Sequence, residues 1–118
     1  MMENKPEIGK ITVTPDVLET IARLTTLAVP GVIRLTTPPG MRRILGQDGV
    51  HIEVQGDNVN VTLYVVTDPS NNMLNIGRQI QHEVTRAIQE MIGMHVQSID
   101  VHIEDVSYAK DKQSTQTA

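Results

Sequence analysis

The stretch "QEMIGMHVQSIDVHIEDV", residues 89 to 106, changes its period half-way along. Up to Gly93 its apolar residues fall three and four apart, as on one helix face. After Ser98 they alternate strictly, with Ile99, Val101 and Ile103 on one side and Asp100, His102 and Glu104 on the other. Gly93 stands at the change, where a left-handed helix cap favours glycine. A helix therefore hands over to a strand with one apolar and one polar face.

The same alternation recurs upstream. "VHIEVQGDNVNVTLYVV" (50 to 66) holds two runs, Val50, Ile52, Val54 and then Val59, Val61, Leu63, Val65, joined by "QGDN". That is a hairpin with a four-residue connection. After "TDPSNN", Met73, Ile76, Gly77, Ile80, Val84, Ala87, Ile88 and Met91 make a helical stripe that leads into the opening stretch. Near the start, in "GKITVTPDVLETIARLTTLAVPG" (9 to 31), Ile11 and Val13 alternate with Thr12. Thr14 is then placed to cap a helix whose first turn holds Pro15 and Asp16. Val17, Ile21, Leu24 and Ala28 form its stripe, with Leu18 and Thr25 beside it; Pro30 and Gly31 stop it, and "VIRL" reads as a short strand. "TTPPGMRRILGQDG" (36 to 49), dense in Pro and Gly, reads as a loop.

The expected order is β-α-β-β-β-α-β. Strands that alternate apolar and polar residues make a sheet with one buried face, which two helices must cover. The fold class is α+β in two layers, with a mostly antiparallel sheet of four to five strands. One domain spans 8 to 106; residues 1 to 7 and 107 to 118 are polar, lack either period and read as frayed tails.

At 118 residues the chain can build one real core, and with no Phe, no Trp and two Tyr that core must be aliphatic. The absence of cysteine removes disulfides, thiolate nucleophiles and Cys-ligated zinc, and fits a cytoplasmic address. A net charge of -4 argues against general attraction to nucleic acid or to an anionic membrane. No signal sequence or spanning helix is expected, so any peripheral association with the membrane would come through a partner.

Several groupings imitate chemistry. His51, Glu53, Asn60, Thr62, Tyr64, Asp100, His102 and Glu104 would share the open sheet face, but a metal site there requires His51 and His102 to be cross-strand neighbours. "HEVTR" (82 to 86) begins like the zinc-protease motif HExxH, yet Arg86 occupies the second ligand's place and a guanidinium does not bind zinc. Arg78, His82 and Arg86 instead make a basic row on one helix face, suited to docking an acidic partner, with Glu83 and Glu90 near enough to pair with Arg86. "GQDG" (46 to 49) matches the GxxG of KH domains without their helical context. Arg42 and Arg43, flanked by Met41, Ile44 and Leu45, are further candidates for partner contact. No catalytic set, phosphate loop, dinucleotide fingerprint, cofactor site or metal ligand set emerges.

Three blocks, "GKITVTPDVLETIARLTTLAVPGVIRL", "GVHIEVQGDNVNVTLYVV" and "IGRQIQHEVTRAIQEMIGMHVQSIDVHIEDV", together resemble the bacterial alkaline-shock, or envelope stress response, family across about residues 8 to 106. "EMIGMHVQSIDVHIEDV" looks like that family's closing signature. The chain departs from the family after the hairpin, where a Tyr-Gly pair is usual and "TDPSN" stands here. The resemblance implies a non-catalytic protein of envelope homeostasis that self-associates and is held near the membrane by anchored partners. The expected function is thus a self-associating scaffold or adaptor. A regulator that binds an enzyme complex, for example one of fatty-acid synthesis, or a small acidic ligand is the alternative, and a nucleic-acid binder is third.

Overall fold

The hairpin is tighter than its sequence suggests. In the computed structural model, which describes residues 8 to 40 and 49 to 107, Gln55 pairs with Asn58, so only Gly56 and Asp57 form the connection. Gly56 takes φ +62° and no non-glycine residue among those described has positive φ, the pattern of a type II′ turn with glycine first. The strands it joins are β2 (Val50–Gln55) and β3 (Asn58–Thr67).

Around them stand α1 (Pro15–Leu27), β1 (Val32–Leu35), α2 (Met73–Met91) and β4 (His95–Val106). The fold is α+β, with both helices packed on a four-stranded, mostly antiparallel sheet. The expected strand at Ile11 and Val13 does not form; residues 8 to 14 are unpaired and Ile11 is 97% exposed. Period alone suggested that strand, and nothing in the sheet pairs with it.

β3 is the central strand. Along one edge it pairs antiparallel with β2, from Gln55↔Asn58 to Val50↔Leu63, and then with β1, from Leu35↔Val65 to Val32↔Thr67. β1 and β2 thus lie end to end in one row. Their junction is held by Thr36 N–H donating to Tyr64 O and Tyr64 N–H to Gly49 O, both 2.9 Å, and by Gly49 N–H donating to Thr37 Oγ1 at 2.9 Å. A Cβ on Gly49 would sit 2.5 Å from the Thr36 oxygen, so the chain leaves and re-enters through a neck that admits only glycine. On the other edge β4 pairs parallel with β3 from Asn58↔His95 to Thr67↔Val106. The linking segment through α2 is the crossover a parallel pair requires.

Val59, Val61, Leu63 and Val65 of β3 are fully buried, with Val50 on one side and Val96 and Ile99 on the other. α2 covers them with Ile76, Ile80, Val84 and Ile88, as its stripe predicted, although Met73 and Met91 at its ends are exposed. Asn72 Oδ1 caps it by accepting from Asn75 N–H at 3.0 Å. Gly93, at φ +83°, closes it with N–H donated to Ile88 O and Gln89 O. In the preceding turn Asp68 Oδ1 accepts from Ser70 N–H (2.9 Å) and Ser70 Oγ (2.7 Å). Those two bonds, the backbone one first, hold its carboxyl below the ordinary range.

α1 is rotated from the expected stripe. It buries Leu18, Ala22 and Thr26, while Val17 and Leu24 are 44% and 57% exposed. The small residues on the buried row let α1 lie close to α2 and β2. Thr14 occupies the cap position, but its side chain makes no cap hydrogen bond.

Candidate functional site

Three surfaces carry the residues singled out by sequence or left in water by the fold. On the open face of the sheet, His51, Thr62 and Asp100 form one row across β2, β3 and β4, and Glu53, Asn60 and Ser98 the next. Tyr64 stands beside His102, their rings stacked with centroids 4.7 Å apart and planes 13° from parallel. Ser98 Oγ donates to Asn60 Oδ1 at 2.7 Å, and His51 Nε2 lies 3.4 Å from Glu53 Oε2.

The two histidines sit on opposite outer strands, His51 across from Thr62 and His102 across from Tyr64. With β3 between them, their strands are about 10 Å apart. The adjacency a metal site requires is therefore missing, and among the described residues no group of three His, Asp or Glu side chains could hold an ion. Asp100, His102 and Glu104 are exposed, as strand parity predicts. The face is a wet polar surface on which Ser98 bonds Asn60 and His51 lies beside Glu53.

The second surface is the outer side of α2. Arg78, His82 and Arg86 lie there, and Arg86 Nε pairs with Glu90 Oε2 at 3.2 Å. With both side chains more than half exposed, that pair contributes little to stability. Arg78 stands at the lip of a groove of about 230 Å³ between the start of α2 and β4, lined by Met73, Leu74, Gly77, Gln81, Val101 and Ile103. Arg42 and Arg43 lie outside the described residues.

The third surface was missed in the sequence. The outer side of α1 presents Val17, Leu24 and Leu27, and a depression of about 380 Å³ lined by Ile21, Leu24, Thr25, Ala28 and Met91 separates it from the end of α2. Met91 is 68% exposed. Two apolar rows on α1, one large and one small, compete for the core in the sequence, and the smaller won. The signal available was Ala22 and Thr26, whose size permits close packing.

The family model of the alkaline-shock proteins, described as having a cell envelope-related function, matches residues 3 to 108. The chain belongs to the alkaline-shock family. This alkaline-shock-family chain is 22% identical over 115 residues to the uncharacterised protein YqhY of Bacillus subtilis strain 168, covering 92% of this chain and 85% of that one. It is 27% identical over 104 residues to the uncharacterised protein Spy1535 of Streptococcus pyogenes serotype M6, covering 84% and 80%. Among solved structures, MamM-CTD 215-293 superposes with a TM-score of 0.52 at 16% identity, over 78% of this chain and 99% of that one. A manganese form of a MamM CTD variant gives 0.51 at 15%, over 78% and 99%. At such identity the likeness is one of fold. No helix among the described residues is long and apolar enough to cross a membrane.

Proposed function

We propose that this alkaline-shock-family chain is a non-catalytic, self-associating scaffold or adaptor of cell-envelope homeostasis, working in the cytoplasm and reaching the membrane through a protein partner. The observation that carries this is the large apolar side chains left in water on the helical layer, Val17, Leu24, Leu27, Leu74 and Met91, beside the row Arg78, His82 and Arg86. Leu24 and Met91 line one apolar depression with Ile21, and apolar side chains gathered in this way mark a surface of contact. The open sheet face adds the exposed acids Asp100 and Glu104 and the imidazole of His102, polar groups suited to contact with another surface. The family's envelope-related description agrees.

The test has two arms. Sedimentation of the purified chain over a wide concentration range reads self-association. Affinity capture from cells, comparing the parent with Arg78→Glu/Arg86→Glu, reads partner docking; the parent should retain a stoichiometric partner that the double variant loses. A chain that stays monomeric throughout, and whose captured proteins are unchanged by the charge reversal, would sink the proposal. A second reading, a regulator binding a small acidic ligand, is favoured only by Arg78 at the groove lip. Saturable binding of a short carboxylic acid, abolished by Arg78→Glu without loss of fold, would support it.

A further inference from the structure

We propose that β4 pairs antiparallel with the β4 of a second copy, about a two-fold axis at Val101, so that one sheet runs through both chains. This rests on the self-association proposed above and names the surface responsible for it.

β4 is the outermost strand on its side, and among the described residues no strand lies beyond it. The direction of its backbone groups follows from its ends. His95 N–H donates to Asp57 O at the start of the ladder and Ser107 N–H to Thr67 O at its close, so both point at β3. Between them the register slips twice, after Val96 and after Ile103, and each bulge adds one residue to β4. Counting alternately inward from either end, Ser98, Asp100 and His102 direct their backbone groups at β3. Ile99, Val101 and Ile103 direct theirs outward. Gln81 agrees: its Nε2 donates to Ile99 O at 3.0 Å from α2, and the second lone pair of that carbonyl is left for a partner strand.

Edge strands are commonly blunted by proline, lysine or a bulge. Here the bulges flank a regular stretch, Ser98 to Ile103, that contains neither proline nor lysine. The sequence of that stretch selects the occupant. With Val101 opposite Val101, Ile99 meets Ile103 on the buried side and His102 meets Asp100 on the open side, twice over by symmetry. Moving the axis to Asp100 sets two carboxylates face to face, and moving it to His102 sets Asp100 against Glu104. Like charges directly opposite are unfavourable. The strand is therefore complementary to itself in the register that uses its regular stretch most fully. Beneath it, Val101 and Ile103 are only half-buried and share the groove with Met73 and Leu74, the latter 67% exposed. A second copy brings its own Val101 and Ile103 to this groove.

The experiment uses the full chain. It has no cysteine, so Val101→Cys introduces a single thiol. Directly opposed residues of a hydrogen-bonded antiparallel pair have Cα atoms about 5.5 Å apart, within the span of a disulfide. Under mild oxidation Val101→Cys should give a covalent dimer, and Asp57→Cys at the hairpin tip should not. In sedimentation, His102→Asp should weaken association about tenfold, since both symmetric pairs become repulsive. Adding Asp100→His to it should restore association, because each carboxylate again faces an imidazole, a hydrogen-bonding partner, and no longer a second carboxylate. Circular dichroism of each variant confirms the fold. If the chain associates but Val101→Cys cross-links no better than Asp57→Cys, or the exchanged pair fails to recover, edge pairing is overturned and the scaffold proposal stands on another surface. A chain that is monomeric at every concentration overturns both edge pairing and the self-association on which it rests.

Discussion

Gly49→Ala should cost far more than an identical substitution seven residues along the chain. At φ +71° an alanine pays about 1–2 kcal/mol for the left-handed backbone alone. Its Cβ would also lie 2.5 Å from Thr36 O, 2.8 Å from Thr36 N and 2.8 Å from Tyr64 O, all main-chain atoms that no side-chain rotation can move away. Relieving that overlap means prising apart the junction, where Thr36 N–H, Tyr64 N–H and Gly49 N–H each donate a 2.9 Å hydrogen bond. Losing one or two of these adds about 0.5–1.5 kcal/mol each. The sum is about 1.5–5 kcal/mol, a large share of the roughly 5–15 kcal/mol by which such domains are stable. Gly56→Ala is the reference: φ is +62° and nothing lies within 4 Å of its added Cβ, so only the left-handed cost applies. Both changes restrict the unfolded chain equally, and that contribution cancels in the comparison. Urea unfolding followed by far-UV circular dichroism at low protein concentration gives both values. A gap between the two variants below about 0.5 kcal/mol, within the ordinary error of such measurements, would refute the closed neck.

Ile80→Asp places an unpaired carboxylate at a fully buried position between α2 and the sheet, and should cost more than about 4 kcal/mol; a cooperative melt like the parent's would place the helix face wrongly. Replacing Asp100, His102 and Glu104 together by Ser should leave monomer unfolding within about 1 kcal/mol of the parent, since all three are exposed, while lowering self-association in sedimentation. Asp68→Ala should destabilise the turn before α2. Because the folded carboxyl is held low, the parent's advantage is complete above the unfolded carboxylate range and is lost as the pH falls through the lowered folded value; an advantage that grows in acid would contradict the Ser70 bonds as its cause. Thermal melts with and without a chelator should coincide, since folding rests on an aliphatic core.

What was legible in the sequence depended on period. The alternations in β2, β3 and β4 assigned their faces correctly, because a one-residue slip would expose Val61, Leu63 and Ile99 together. Gly93 marked the end of α2 for the same kind of reason, a backbone conformation open to few residues. Period says nothing about neighbours, however. Ile11 and Val13 alternate as well as any strand, yet no edge receives them. That His51 and His102 lie on opposite sides of β3 follows from β4 taking the edge of β3 opposite to β2, which pattern alone does not encode. α1 shows the remaining difficulty. Val17 and Leu24 outweigh Ala22 and Thr26 in hydrophobicity, but the core was decided by how near the helix could come.

The end-to-end placing of β1 and β2 makes chain length cheap at one point. The two halves of the row are each held by β3 and the junction by its own hydrogen bonds, that to Thr37 Oγ1 included, so the register of the described ladder is set outside residues 40 to 49. Doubling a flexible connection adds only about 0.6 kcal/mol of closure entropy. A grafted peptide, an epitope or a small inserted domain between 40 and 49 would thus be carried at one margin of the sheet without renumbering a single pair in its ladder.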